Sequence, residues 1–307
     1  MDGELEPCGC TLETDYGGIL RRASYVDGVR AEAGAEPILI SSGGLFSKEL
    51  AGERIKNNYI LSGLEQLDYD AVGVQWADLT HGAELLQGST LPFSVANWKT
   101  TEFPRQQVIQ RGGQQLFFAQ WLNPDESPYK SMQNLSPINT DIAALEEQLS
   151  KADYQGQVTI LATSQPLEVI EKLLDLTVVD ILLIQSAYEQ FGEPKFKDKT
   201  LILQPGSRGQ RIGRLNFNVD DQGNLMNWSH QVTELSASMP DAPRLKDWYA
   251  GYNDALRIAF EEEMKLQQQQ DNGESPYLGE QVCAACHQSA HQRWQDSEHA
   301  KAFDDLE

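Results

Sequence analysis

Two periods of apolar residues, one helical and one strand-like, take turns along this chain. Residues 19–33, ILRRASYVDGVRAEA, mix polar and apolar positions at helical spacing. The run 37–44 then reads as a buried strand entering a glycine turn. A helix over 56–67, a short strand over 69–74 and a helix over 78–87 follow. Residues 91–96 and 115–120 are predicted strands, and 140–151 is a predicted helix with Ile142, Leu145 and Leu149 on one face. Strand 158–163, helix 166–174 and strand 179–184 continue the alternation. Residues 200–204 and 212–219 read as sheet around the turn-rich stretch 205–209. Strands interleaved with helices predict a layered α/β domain rather than a bundle.

The pattern changes near the C-terminus. Residues 244–266 form a predicted amphipathic helix, with Leu245, Trp248, Tyr252, Leu256, Ala259 and Phe260 at helical spacing. The polar stretch 267–276 ends in Pro276 and reads as a linker. The expected organisation is therefore a large domain over 1–266, a linker over 267–276 and a short helical segment over 277–307. A length of 307 residues suits one large domain or two.

Composition narrows the partners. A formal net charge of −22 repels nucleic acid and anionic lipid; it serves solubility first, and its functional reading is steering of a basic redox partner. No apolar run approaches the roughly 20 residues of a membrane span, so none is expected in this chain. The abrupt ends, Met1-Asp2-Gly3 and Asp305-Leu306-Glu307, are read as the edges of a longer protein whose leader has been removed and which continues past Glu307.

The four cysteines fall in two close pairs, Cys8/Cys10 and Cys283/Cys286. Close pairs point to cofactor attachment, metal binding or dithiol chemistry. Cys283-Ala284-Ala285-Cys286-His287 is a C-x-x-C-H motif. Its two thiols can each add to a haem vinyl group while the adjacent His287 reaches the iron, which makes covalent haem c the expected cofactor. A zinc half-site completed by Cys8 and Cys10, and a dithiol redox pair, are the other readings. The run 277–287, with Tyr277 and Gly279 before the motif, then Trp294, Ser297, His299 and Ala300, resembles the first haem segment of multihaem c-type cytochromes. That resemblance implies that His299 ligates a haem iron, either this one or another. Twelve residues of continuous helix would separate His287 and His299 by about 18 Å, so both can serve one iron only if the chain turns near Asp296. His291, one turn past His287, reads as a surface or haem-edge histidine.

The larger part resembles the metallophosphatase domain of bacterial 5′-nucleotidases and UDP-sugar hydrolases. Gly17-Gly18-Ile19-Leu20-Arg21 resembles that family's Gly-Gly-Leu-Ala-Arg segment, and 38–46 its strand ending in Gly-Asp-Leu-Phe. Residues 69–72 precede the place of Gly-Asn-His-Glu, and 179–183 that of Gly-His-x-His. Residues 204–209 with 213–215 resemble the closing sheet segment. The resemblance implies a four-layer α/β/β/α sandwich and, in the family, two metal ions that activate water. This chain departs at the ligands: Gly44 replaces the Asp, Trp76 and Ala77 the Asn and His, a position near Thr163 the isolated His, and Ser186 and Tyr188 the final pair. The first motif falls at or before Asp2. No dinuclear Mn or Zn site is therefore expected, and the lone His81 and His230 read as structural. Near the place of that site stands Cys8-Gly9-Cys10, a candidate redox pair or soft-metal site, with a structural disulfide or an inert pair as the other readings. The sequence reading is an extracytoplasmic electron-transfer protein, periplasmic or at the cell surface, whose partners are other redox proteins or cytochromes. The alternatives are a phosphoesterase with an altered site and a non-catalytic docking scaffold.

Overall fold

The computed structural model describes residues 1–11, 13–33, 37–47, 53–185, 191–220, 222–270, 280–297 and 300. They fall into two compact units, Met1–Tyr252 and Asn253–Glu307.

The first unit begins with a small hairpin, β1 (Pro7–Cys8) and β2 (Tyr16–Gly17), followed by α1 (Ile19–Ala33). A parallel trio comes next: β3 (Ile40–Ser41), then α2 (Glu53–Glu65), β4 (Ala71–Gly73), α3 (Ala83–Gln87) and β5 (Phe93–Ser94), in the order β3-β4-β5. The helix expected over 78–87 is split. A 3₁₀ turn at Trp76–Leu79 and α3 are separated by Gly82, whose φ of +88° is open to glycine but not to a helix.

The main sheet has six strands. Its members are β6 (Gln107–Arg111), β7 (Gln114–Trp121), β8 (Val158–Thr163), β9 (Ile181–Ile184), β10 (Phe191–Lys197) and β11 (Thr200–Pro205), in the order β10-β11-β9-β8-β7-β6. Helices α4 (Ala143–Tyr154) and α5 (Leu167–Leu173) make the crossovers β7-to-β8 and β8-to-β9. All six residues of β8 are buried, as a parallel strand covered on both faces requires. Successive residues of β7 serve opposite cores. Phe117, Ala119 and Trp121 pack with Leu145, Leu149 and Ile170 of α4 and α5, whereas Leu116 and Phe118 face the other way with Ile160, Ile181 and Leu203. On that second face lie Ile38 and Ile40 beside Leu215 and Phe217 of a further hairpin, β12 (Arg211–Val219) and β13 (Leu225–Glu234). Helices α1 and α2 cover the trio, with Ile19, Ala23, Val26, Ile60, Leu61 and Leu64 packed on Val72, Val74 and Phe93. The order of layers is helix, sheet, sheet, helix.

The second unit takes in most of α6 (Lys246–Gln270), then α7 (Glu280–Ala284) and α8 (Gln288–Gln295). Residues 267–270, expected to open a linker, continue α6, because glutamine is a good helix former and nothing there breaks the ladder. Residues 271–276, the rest of that linker, and 277–279 of the segment after it lie outside the described residues.

Two measurements test this packing. Leu161 is fully buried at the centre of β8, so Leu161→Ala should lower the free energy of unfolding by about 2–5 kcal/mol in urea. His230 on β13 is crowded against Gly213, and burial pushes its imidazole below the ordinary value while Glu193 opposes the shift. A depressed folded-state value means the unfolded chain takes up the proton first. Stability should therefore fall as pH drops below about 6.5, and His230→Gln should flatten that slope in urea midpoints measured from pH 8 to pH 5.

Candidate functional site

In open α/β sheets, binding groups collect beyond the C-terminal ends of the strands. Here those ends carry Ser42-Gly43-Gly44 after β3, the turn 75–79 after β4, Gln120 within β7 and Gln185 after β9. Asp78 ties the first two together. Its fully buried carboxylate accepts hydrogen bonds from the backbone N–H of Gly44 at 2.8 Å, Leu45 at 2.6 Å, Phe46 at 3.1 Å and Gln75 at 2.9 Å. Burial pushes this carboxyl up from its ordinary value, and the four amides pull it down. Asp78 stands where the family's Gly-Asn-His-Glu has its acidic residue, and in this chain its oxygens are taken up by backbone.

Gln185 occupies the centre. Its Oε1 accepts from Ser42 Oγ at 2.9 Å and from Gln75 Nε2 at 2.6 Å. A side chain at Gly44 would collide with the Gln185 amide, and Gly44 has a φ of +67°. The carboxylate that the family places at this position therefore has no room here. Gln120 is fully buried below, donating to Val74 O at 3.3 Å. Trp76 turns its indole N–H to Asn123 O at 2.6 Å. Among the described residues no three His, Cys, Asp or Glu side chains gather as a metal site would need. Apart from Asp78, whose oxygens are taken up by backbone N–H groups, the gathered groups are neutral amides and a hydroxyl, whereas a pair of divalent transition ions takes carboxylate and imidazole donors. Ser186 and Tyr188 lie outside the described residues.

Beside this network sits the Cys8 loop. β1 pairs with β2 in the register Cys8↔Tyr16. Cys8 is half-buried, Cys10 is exposed, and both thiols are free. Arg208, in the turn between β11 and β12, donates from Nη2 to Cys8 Sγ at 2.7 Å and to Glu4 Oε1 at 3.3 Å. Its own backbone N–H is held by Asp2 Oδ2. A guanidinium against a sulfur is an electropositive setting of the kind reactive cysteines occupy. His81 and His230 stand apart from this group: His81 lines a surface cavity with Arg54, Glu65 and Glu84, and His230 belongs to the β12–β13 hairpin.

In the second unit Cys283 and Cys286 are exposed and free. The backbone N–H of His287 donates to Cys283 O at 2.9 Å, closing one turn around the motif, and exposed His287 caps the start of α8. One turn on, the His291 ring lies 5.8 Å from that of Trp294. Helix α8 ends at Gln295 and has no buried residue. His299 lies outside the described residues.

The sequence singled out the cysteines and His287. It passed over Arg208, Asp78 and Gln185. Only Asp78 had a local signal, since it follows Trp76 and Ala77 in the family frame.

No protein-family model and no curated protein matches the chain. Solved structures do. A 5′-nucleotidase precursor from Thermus thermophilus matches with a TM-score of 0.68 at 17% identity, over 83% of this chain and 57% of that one. The sulfate thiohydrolase SoxB of the same organism, in complex with glycerol, gives 0.65 at 16%, over 78% and 47%. The NAD nucleotidase of Haemophilus influenzae gives 0.65 at 13%, over 83% and 58%. The fold is thus that of the 5′-nucleotidase-like metallophosphatases. The chain spans about half the length of these structures. Among the described residues no helix is long and apolar enough to cross a membrane.

Removing the carboxylate that gathers four amides should be costly. Asp78→Ala leaves buried N–H groups without an acceptor and should destabilise the first unit by about 3–5 kcal/mol, read as a lower urea midpoint. A loss below about 1 kcal/mol would mean that water or another group replaces it.

Proposed function

We propose that this chain is an extracytoplasmic redox protein: a metallophosphatase-like domain, with neutral amides where the family has metal ligands, whose Cys283 and Cys286 would hold haem c covalently and whose His287 would ligate its iron. The observation that supports the reading is the C-x-x-C-H segment at 283–287. Its two thiols are free and exposed, one helical turn brings His287 onto the same turn as Cys283, and α8 buries nothing of its own. A segment without an apolar core gains one when it wraps a porphyrin. Bound there, haem c supplies one-electron transfer. The chain's own contribution is to fix the group by two thioether bonds and hold an imidazole against it, with His299 as the second imidazole for this or another haem. The organisation goes with it: a domain over 1–266 and a cytochrome segment over 277–307, with other cytochromes or redox proteins as partners.

In this reading Cys8 is the chemical group of the large domain, with Arg208 beside its sulfur and Cys10 as its nearest thiol in sequence. Arg208 donates a hydrogen bond to that sulfur, and Cys10, exposed two residues on, is the candidate to pair with it in dithiol chemistry. An extracytoplasmic setting is in keeping with the precursor form of the nucleotidase it resembles in fold.

Two substitution sets test the halves separately. Cys283→Ser with Cys286→Ser, expressed under conditions that attach haem, should abolish covalent haem staining of the denatured chain; staining that survives would remove the attachment reading. Arg208→Gln should slow alkylation of Cys8 by about tenfold, the worth of one charge-assisted hydrogen bond, and an unchanged rate would detach Arg208 from the chemistry.

The fold favours a second reading, phosphoester hydrolysis, because a 5′-nucleotidase and an NAD nucleotidase are among the structures it resembles. The groups around Gly44 do not fit two metal ions. The reading expects turnover of a nucleotide or sugar phosphate with added Mn²⁺, Zn²⁺ or Mg²⁺, and no turnover with any of the three would end it.

A further inference from the structure

The apolar stripe of α6 outlasts what covers it. At 3.6 residues per turn, Trp248 and Tyr252 lead on to Leu256, Ala259, Phe260 and Leu266 along one side of the helix, with Glu263 between the last two. The early members are packed. Tyr252 is buried in the core of the first unit, Trp248 packs against that core, and the Tyr59 ring lies 5.9 Å from Trp248 and 5.3 Å from Tyr252. The later members are not. Leu256 and Leu266 are exposed, and Phe260 is 63% exposed. Large apolar side chains standing together in water mark a contact surface.

The same unit holds a second bare surface. Helices α7 and α8 have five and eight residues, too few to be stable alone. Helix α8 buries nothing, Val282 is 53% exposed, and Trp294 is exposed as well. Haem c held by Cys283, Cys286 and His287 would be covered by this short segment only in part. The rest of the ring needs apolar cover from elsewhere, because such cover keeps water from the iron and sets its potential. The chain is long enough to bring α6 to it. Phe260 lies about 15 Å back along α6 from Gln270, and the nine residues 271–279 between α6 and α7 can reach at most about 30 Å. Other occupants fit less well. Glu261, Glu262 and Glu263 stand beside the stripe, so a second copy of this chain would set like charges together, and an anionic lipid surface is repelled.

We infer, on the haem reading proposed above, that the second half of α6 is a wall of the haem site: Leu256, Ala259 and Phe260 give apolar cover to the porphyrin that Cys283 and Cys286 hold. The haem site is then a product of two segments, 256–266 and 280–297, rather than of the C-x-x-C-H run alone.

Amide hydrogen exchange on the full chain tests this, comparing the form expressed under haem-attaching conditions with the Cys283→Ser, Cys286→Ser form. Haem should slow exchange at the amides of 256–266 by tenfold or more. Covalent haem staining of the denatured chain is read on the same samples. A stained chain whose 256–266 amides exchange as fast as those of the serine form overturns the inference and leaves the haem reading standing; a chain without stain overturns both. Equal protection in the two forms that grows with protein concentration would assign the stripe to a second copy and overturn the inference too. The reduction potential reads the same contact through the iron. At equal haem content, Leu256→Ser with Phe260→Ser should lower it, because water admitted beside the ring favours the more highly charged ferric state. Ile258→Ser, an exposed position on the opposite side of α6, should leave it unshifted. No shift from the pair, or the same shift from Ile258→Ser, would overturn the inference.

Discussion

One buried carboxylate organises the end of the molecule where chemistry is expected. Asp78 takes four backbone N–H groups from two separate turns, three of them consecutive in the run 44–46. That arrangement requires positive φ at Gly43 and Gly44, and it fixes where Ser42 and Gln75 meet Gln185. Once Gln185 lies against Gly44, no side chain can be restored at residue 44 without moving it. Glycine at residue 44 and the amide at the centre are thus one structural fact. The same turns position Met1 and Asp2, and through Asp2 the Arg208 that touches Cys8.

The elements legible in the sequence are those buried on both sides. β7, β8 and β9 carry apolar runs with few competing signals, and α1 and α4 keep their apolar stripes. The strands that went unread are mostly edges. β6 and β10 close the two sides of the main sheet, β10 contains Pro194 together with Glu193, Lys195 and Lys197, and β13 is largely exposed. Edge strands are polar because a bare apolar edge would recruit other chains, and that polarity hides them from pattern reading. The glycine pair at 112–113, both with positive φ, was the available sign of the β6–β7 hairpin.

The candidate site divides in the same way. Cys8, Cys10, Cys283, Cys286 and His287 are legible because their chemistry depends on spacing along the chain. Arg208 is 200 residues from the sulfur it touches, and Gln185 is 143 from Ser42, so neither contact has a local trace. Gly44, Trp76 and Ala77 stood out because the frame of the family the sequence resembles says which residue type to expect at each. The network around them did not, because an amide network is defined only by its partners.

The most direct measurement is elemental analysis of the purified chain together with its visible spectrum, after expression under haem-attaching conditions. The account predicts about one iron per chain with a haem absorption band, and neither manganese nor zinc in stoichiometric amount. One or two zinc or manganese ions per chain without haem iron would contradict it, and would return the domain to hydrolysis.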